Sequence, residues 1–376
     1  MGYIVKLVLF SDLHLDAAFA WLGAGDAARR RREALRATLR AIVELAQRER
    51  AEALLCGGDL YEHERFSPDT SEFLRKEFAS LGPMRVFVSP GNHDHFGPES
   101  LYRHVTWSEN VHVFTGAELE PVPLAAGITL WGAAHQAQAG TANLLQGFRV
   151  DRGGIHLGLF HGSESGGFQR EGTDKQCHAP FEESEIALTG LHHAFLGHYH
   201  TPRDTDRLTY PGNPEPLGFG ETGLRGAVIV TVRADGSVER RRERVAQTPV
   251  HDLECDLTGC TSRQDVRDRA AAVLRDKHGA ARLTLRGDLA RGVEIGPRDL
   301  DVRELLEQVP TLDALVVQTG AVRTDYDFEA IAGEATVRGQ FVRDVLADPE
   351  LDEEMRRRVL VTGQRALDGR SDLEVL

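Results

Sequence analysis

Short apolar runs in this chain end, again and again, in Asp, His and Asn. Residues 4–10 run into Ser11-Asp12-Leu13-His14, and residues 53–56 into Gly57-Gly58-Asp59. Residues 85–89 end in Pro90-Gly91-Asn92-His93-Asp94, residues 155–160 in His161, and residues 194–196 in Gly197-His198-Tyr199-His200. Apolar runs this short, punctuated by glycine, predict buried strands. Helices are predicted between them. Leu35, Leu39, Ile42 and Ala46 fall at helical spacing, and Ser67-Pro68 opens a second helix with Phe73, Leu74 and Phe78 on one face. Further strands are expected at 111–114, 128–132 and 227–232, and Tyr210-Pro211-Gly212-Asn213-Pro214 is loop chemistry. Strand alternating with helix implies a mostly parallel sheet with helices outside. In such α/β sheets ligands gather at the carboxyl ends of the strands. The polar clusters are therefore candidates for one site.

Eight residues make up that site: Asp12, His14, Asp59, Asn92, His93, His161, His198 and His200. Two carboxylates, an amide oxygen and several imidazoles, with no thiolate, form a mixed N/O shell. It suits Mn²⁺, Fe²⁺ or Zn²⁺ and fits Ca²⁺ poorly. Asp12-x-His14 and His198-x-His200 would each put both side chains on one side of an extended segment. Any one of these histidines alone is a satisfied polar residue, and Asn92-His93-Asp94 alone is a turn. Five strand-end clusters of the right types are what point to a metal centre. The other histidines lack this placement as a set. His104, His112, His156, His251 and His278 read as structural or surface residues, His192 and His193 precede a strand core, and His135 is grouped with them although it follows a strand.

At 376 residues the chain exceeds what one core serves, so a large domain and a smaller one are expected. The large one closes near 245–249. A small α+β unit follows, with strands at 253–257, 281–286 and 315–318 and helices at 262–276 and 302–308. From 331 the texture is helical. Val337, Phe341 and Val345 form one stripe and Leu351, Met355 and Val359 another, with Asp348-Pro349 between them and a stop at Asp368-Gly369. The net charge of −14 argues against a surface coated for nucleic acid but leaves room for a local basic groove. The runs Arg29–Arg32, Arg240–Arg242 and Arg356–Arg358 read as solvated faces. No apolar run is long enough for a membrane helix. The start Met1-Gly2-Tyr3-Ile4 leads into a strand rather than a signal peptide. Four scattered cysteines fit a reduced, cytoplasmic setting.

Asp12-x-His14, Gly58-Asp59, Gly91-Asn92-His93-Asp94, His161-Gly162 and Gly197-His198-Tyr199-His200 together resemble the five motifs of the calcineurin-like metallophosphoesterases. Ser11-Asp12-Leu13-His14-Leu15-Asp16, Gly57-Gly58-Asp59-Leu60-Tyr61 and Tyr210-Pro211-Gly212-Asn213 resemble the SbcD-type DNA repair exonucleases, in particular their bacterial YhaO-like branch. The resemblance implies a four-layer α/β/β/α sandwich over 1–250, a DNA-selecting α+β cap over 251–330 and a partner-docking helical hairpin over 331–376. It implies two divalent cations, Mn²⁺ first and Fe²⁺ or Zn²⁺ next, bridged by Asp59. Asp12, His14 and His200 would complete one shell, and Asn92, His161 and His198 the other. His93 would take a catalytic role. The nuclease family often carries a His three residues after the bridging Asp; here Glu62 stands there, with His63 beside it, and both are candidates for handling DNA.

The expected function is thus metal-dependent DNA hydrolysis in repair, as the catalytic subunit of a complex with an SMC-like coiled-coil ATPase docked on the C-terminal helices. The alternatives are a phosphoesterase for a small phosphodiester or nucleotide, and a non-catalytic docking subunit. The family's subunits commonly pair through helices near the third motif. Here those are residues 68–78 and the stretch with Phe96, Leu101 and Tyr102, which equally suit a core.

Overall fold

β1 (Val5–Phe10) lays out the first unit, because its side chains alternate between two cores. Leu7 and Leu9 meet Leu157, Leu159 and Phe195, whereas Val8 and Phe10 meet Leu35, Leu39 and Ile42 of α1 (Asp26–Glu49). The computed structural model describes residues 5–22, 26–166, 177–289, 302–324 and 326–367. The chain divides into two units, Met1–Pro249 and Val250–Leu376.

The first unit continues with β2 (Ala53–Cys56), α2 (Pro68–Ala79), β3 (Arg85–Val88), α3 (Leu101–His104) and β4 (Val111–Val113). Then come β5 (Glu120–Ala125), β6 (Ile128–Gly132), β7 (Ile155–His161), α4 (Glu183–Thr189) and β8 (His193–Gly197). β9 (Arg203–Asp204), β10 (Leu208–Tyr210), β11 (Gly226–Val232) and β12 (Val238–Arg244) complete it. Among the described residues these strands make two six-stranded sheets, β12-β11-β1-β2-β3-β4 and β5-β6-β7-β8-β10-β9. β1 to β4 run parallel, as do β6, β7, β8 and β10; the remaining strands are antiparallel additions at the edges. One apolar cluster fills the space between the sheets. A second lies under α1 and α2, and a third, with Trp131, Phe160 and Ile186 of α4, lies on the far side. This is the expected four-layer α/β/β/α sandwich. Each fully buried Leu or Phe in these layers stabilises it by about 1.5–3 kcal/mol.

Two expectations about charge need correction. Arg31 is not on a solvated face: it is buried, and its guanidinium donates to Thr248 O at 2.5 Å and lies 3.7 Å from the buried Glu215 carboxylate. Arg240 and Arg242 of β12 are also engaged. Arg240 reaches Thr205 O at 2.5 Å, and Arg242 reaches Pro211 O at 2.9 Å and the Asp204 carboxylate at 2.8 Å. These bonds tie the edge of one sheet to the edge of the other. β5, β9, β10 and β12 were not expected as strands. β5, β9 and β12 are edge strands and β10 is a three-residue strand between β8 and β9, so their pairing comes from the sheet, not from periodicity. The apolar residues weighed for dimerisation are core residues: Phe73, Leu74, Phe78, Leu101 and Tyr102 are buried, and Phe96 packs against them.

In the second unit β13 (Val250–Asp256), α5 (Arg263–Leu274), β14 (Gly279–Leu289), α6 (Val302–Gln308) and β15 (Leu312–Thr324) form a parallel three-stranded sheet with two helices. Its core holds Cys255, Val266, Leu283, Leu285 and Leu305. The tail is more than the expected hairpin. α7 (Phe328–Ala332), α8 (Val337–Ala347) and α9 (Glu353–Leu367) share a cluster of Tyr326, Ile331, Val342, Val345 and Leu360. Val337 and Met355, assigned to apolar stripes, are 77% and 44% exposed. Val342 is buried beside Val345 and Phe341 of the expected stripe, so the inward face of α8 is set one residue round from Val337. The expected stop at Asp368-Gly369 and the start of the first strand at Ile4 lie outside the described residues. Among the described residues, no helix is long and apolar enough to cross a membrane.

Candidate metal centre

All of the strand-end clusters meet at one end of the sandwich. Asp12 and His14 follow β1, Asp59 follows β2, and Asn92 and His93 follow β3, all in the first sheet. His161 ends β7, and His198 and His200 follow β8, in the second. The sheets approach closely here. A Cβ on Gly58, whose φ is +99°, would fall 2.7 Å from both Gly91 N and His161 Nδ1. A Cβ on Gly197 would run into Gly57 O. Glycine at these places lets histidines from one sheet reach carboxylates from the other.

The expectation that Asp-x-His is extended is wrong. Asp12 (φ 54°), His14 (φ 49°) and Asp59 (φ 51°) are left-handed, and His198 (φ 110°) also has positive φ. Each such residue costs on the order of 1–3 kcal/mol, and neighbouring structure must hold it. Here Asp12 N donates to Gly58 O at 2.9 Å, His14 N to Asp59 O at 2.9 Å, and Leu15 N to Leu60 O at 3.0 Å, so the two strand exits are zipped together. Asp94, quoted in the motif but given no role from sequence, supplies the other support. Its buried carboxylate accepts from the backbone N–H groups of Asp59 (3.0 Å), Leu60 (2.8 Å) and Gly91 (2.6 Å) and from the Tyr102 hydroxyl (2.6 Å).

The imidazoles are oriented in a common way. His161 Nδ1 donates to Gly57 O at 2.9 Å, His14 Nδ1 to Glu62 at 2.7 Å, and His200 Nδ1 to Glu221 at 2.6 Å. In each ring the Nε2 is left for another partner, the usual arrangement behind a metal ligand. His14 Nε2 is buried with no hydrogen-bond partner. His161 Nε2 lies 3.1 Å from Asn92 Oδ1 and 3.3 Å from Asp59 Oδ2, and His14 Nε2 lies 3.7 Å from the same Asp59 oxygen. Donor atoms of Asp12, His14 and His200, and of Asp12, Asp59 and His161, lie within 4.8 Å of one another. Electron-pair donors converging without enough protons between them fit divalent cations. Burial alone would raise the Asp59 pKa, but the charges of His161, His14 and His93 hold it well below the ordinary carboxylate value. Burial would lower His161, yet the charge and hydrogen bond of Asp59, with Asp12, lift it to about 9.

His93 stands apart from the ligands. Its side chain is 39% exposed, and its Nδ1 donates to the second oxygen of Glu62 at 3.0 Å. Glu62, weighed from sequence as a DNA-handling residue, is thus committed to His14 and His93 at once, and burial notwithstanding, these bonds bring it to about 2. The Glu62 hydrogen bond, against burial and with the charge of Asp59, lifts His93 to about 9. His63 points elsewhere, with its ring 4.6 Å from His95. His135, grouped with the structural histidines, is next to the centre but has both nitrogens occupied, by His161 O and by Thr141 Oγ1, each at 2.8 Å. Glu221 carried no sequence signal. It lies far along the chain in a loop and is held by Asn213 Nδ2 at 2.7 Å.

Residues 5–206 match the family model of the calcineurin-like phosphoesterases. The chain belongs to that family. Membership implies a metal-dependent phosphoester hydrolase, and the ligand clusters are those a two-metal centre needs. The chain is 31% identical over 261 residues to the uncharacterized metallophosphoesterase YhaO of Bacillus subtilis (strain 168), an alignment covering 66% of this chain and 62% of that one. The chain thus spans less than two thirds of that relative. Among solved structures it is similar to the calcineurin-like phosphoesterase YfkN from Bacillus subtilis, at TM-score 0.38 and 10% identity, over 65% of this chain and 92% of that one. It is also similar to a dimetal phosphatase from Danio rerio, at TM-score 0.37 and 13% identity, over 63% and 98%.

Proposed function

We propose that this phosphoesterase is a DNA nuclease, hydrolysing phosphodiesters with Mn²⁺ as its preferred metal. The observation that carries the hydrolytic part is the shared orientation of His14, His161 and His200, each with Nδ1 tied to the protein, with the Nε2 atoms of His14 and His161 turned to Asp59. In this reading Asp12, His14 and His200 hold one cation, Asn92, His161 and His198 the other, and Asp59 both. Cations held there would supply Lewis-acid charge to a phosphoryl oxygen and would acidify the attacking water. Glu62 fixes the orientation of His14 and His93 together, and Glu221 fixes that of His200. The exposed His93 holds its proton near the leaving oxygen. The water gives up a proton to solvent as its oxygen attacks phosphorus in line, the ester P–O bond breaks, the leaving oxygen takes the proton from His93, and His93 is reprotonated from solvent.

DNA as substrate is supported by the resemblance of the Asp12, Asp59 and Tyr210 motifs to SbcD-type exonucleases. Incubating the purified protein with end-labelled DNA and Mn²⁺ should give metal-dependent shortening of the label. DNA binding should weaken steeply with salt, since each phosphate contact contributes about −0.9 to the log–log slope. No cleavage, with retained turnover of a small chromogenic diester and no salt slope, would favour the second reading, a small phosphodiester or nucleotide. That reading draws on the acidic net charge and on Glu62 in place of a DNA-handling His.

We place the SMC-like ATPase partner on α8 and α9, where Leu346 and Met355 stay exposed beside a satisfied cluster. Apolar anchors on a helix suit docking in a groove. Leu346→Glu with Met355→Glu should keep hydrolysis of a chromogenic diester and abolish co-purification with such an ATPase; retained co-purification would remove this assignment.

A further inference from the structure

His178 has no part in the reading above, yet it lies inside the cluster of imidazoles. Its backbone is pinned two residues past His161: the His178 N–H donates to Ser163 Oγ at 3.0 Å, and its carbonyl accepts from Ser163 N–H at 2.8 Å. Its ring is buried. It stands edge-on to His198, with centroids 5.4 Å apart at 67°, and 6.3 Å from the ring of His135. Its neighbours have clear duties. His135 spends both nitrogens on protein groups, and His161 spends one on Gly57 and turns the other to Asn92 and Asp59. His178 Nδ1 is buried with no hydrogen-bond partner. A buried imidazole nitrogen left unsatisfied is costly, and such groups call for an explanation. His178 is not within ligand reach in any of the groupings around Asp12, Asp59 or Glu62. An oxygen acceptor brought by the substrate answers both facts, because an imidazole N–H is a donor and a phosphoester offers non-bridging oxygens.

We propose that His178 is a substrate-contacting residue, donating a hydrogen bond to a non-bridging phosphoryl oxygen of the ester bound beside His198. The proposal rests on the two-metal hydrolytic reading of the centre. It deepens that reading by adding a donor from the chain itself to the phosphate-binding side.

The test uses the full-length protein loaded with Mn²⁺, bis-p-nitrophenyl phosphate as substrate and inorganic phosphate as inhibitor, on wild type, His178→Ala and His178→Gln. A hydrogen bond to a charged oxygen is typically worth a factor of about ten to a hundred. His178→Ala should lose that factor in kcat/KM and weaken inhibition by phosphate by a similar factor. It should still hold two Mn²⁺ per chain by elemental analysis. His178→Gln, which keeps an N–H donor, should recover part of both losses and covers the case in which the alanine variant does not fold. Unchanged phosphate inhibition in both variants would overturn the contact. Loss of one Mn²⁺ in both would make His178 a ligand and overturn it as well. A wild type that holds no Mn²⁺ and does not turn over the diester overturns the two-metal reading itself, a result separate from either variant outcome.

Discussion

Asp59→Asn should abolish hydrolysis of even a small chromogenic phosphodiester and lower bound Mn²⁺ below two per chain. The substitution isolates charge. Asn tolerates left-handed backbone, so φ near 51° at this position is kept, and the side-chain amide oxygen still accepts from the His93 N–H now held at 2.8 Å. What is lost is the negative charge facing His161 Nε2 at 3.3 Å and His14 Nε2 at 3.7 Å. On the proposed assignment, in which Asp59 serves both cations, its loss should weaken both shells together. Elemental analysis of the purified variant and a turnover assay check this; two bound metals with near-normal turnover would end the bridging assignment.

His93→Ala should lower kcat by about 10²–10⁴-fold, the usual worth of a positioned acid or base, while two metals and the fold are retained. The side chain is reachable from solvent, bonds to Glu62 and stands edge-on to the His14 ring at 4.8 Å, outside the apolar clusters. The pH profile gives a second check. As the proposed proton donor His93 would act while protonated, and Glu62 holds its pKa near 9, a value that the positive charge of bound cations would lower. Wild-type kcat should therefore fall on the alkaline side as His93 loses its proton. That limb should be absent from His93→Ala. Loss of metal in step with rate would make His93 a ligand or a prop.

The site was legible in the sequence because its residues sit at strand ends, where a short apolar run stops at Asp, Asn or His. Periodicity and residue chemistry locate such places without any knowledge of pairing. The backbone at those places was not legible. Left-handed φ at Asp12 and His14 depends on bonds to Gly58 and Asp59, some 45 residues away, and no local pattern announces it. The partners behind the ligands divide the same way. Asp94 is inside a quoted motif, whereas Glu221 reaches His200 from a loop whose own sequence reads only as turn chemistry. The arginines show the limit of reading charge. Arg31 is one of four consecutive arginines and yet is buried, because Glu215 and Thr248 come to it from distant parts of the first unit. The tail was legible in part: the two helices and most of their apolar stripes are there, but α7 was too short to be seen, and its Ile331 joins α9 in covering α8.

The glycine-lined seam at Gly57, Gly58 and Gly197 has a mechanical meaning. One half of the sandwich brings Asp12, His14, Asp59 and Asn92, and the other brings His161, His198 and His200, so an ion held among them acts as a rivet between two plates. Along one lateral edge, where β12 faces β9 and β10, the plates are also clasped by Arg240 and Arg242. Ions at a thousand times their dissociation constant add about 4 kcal/mol to the folded state, and here that cohesion falls on one seam. A chelator would pull the rivet and leave the clasp, so the domain would gape first along the edge that holds its chemistry.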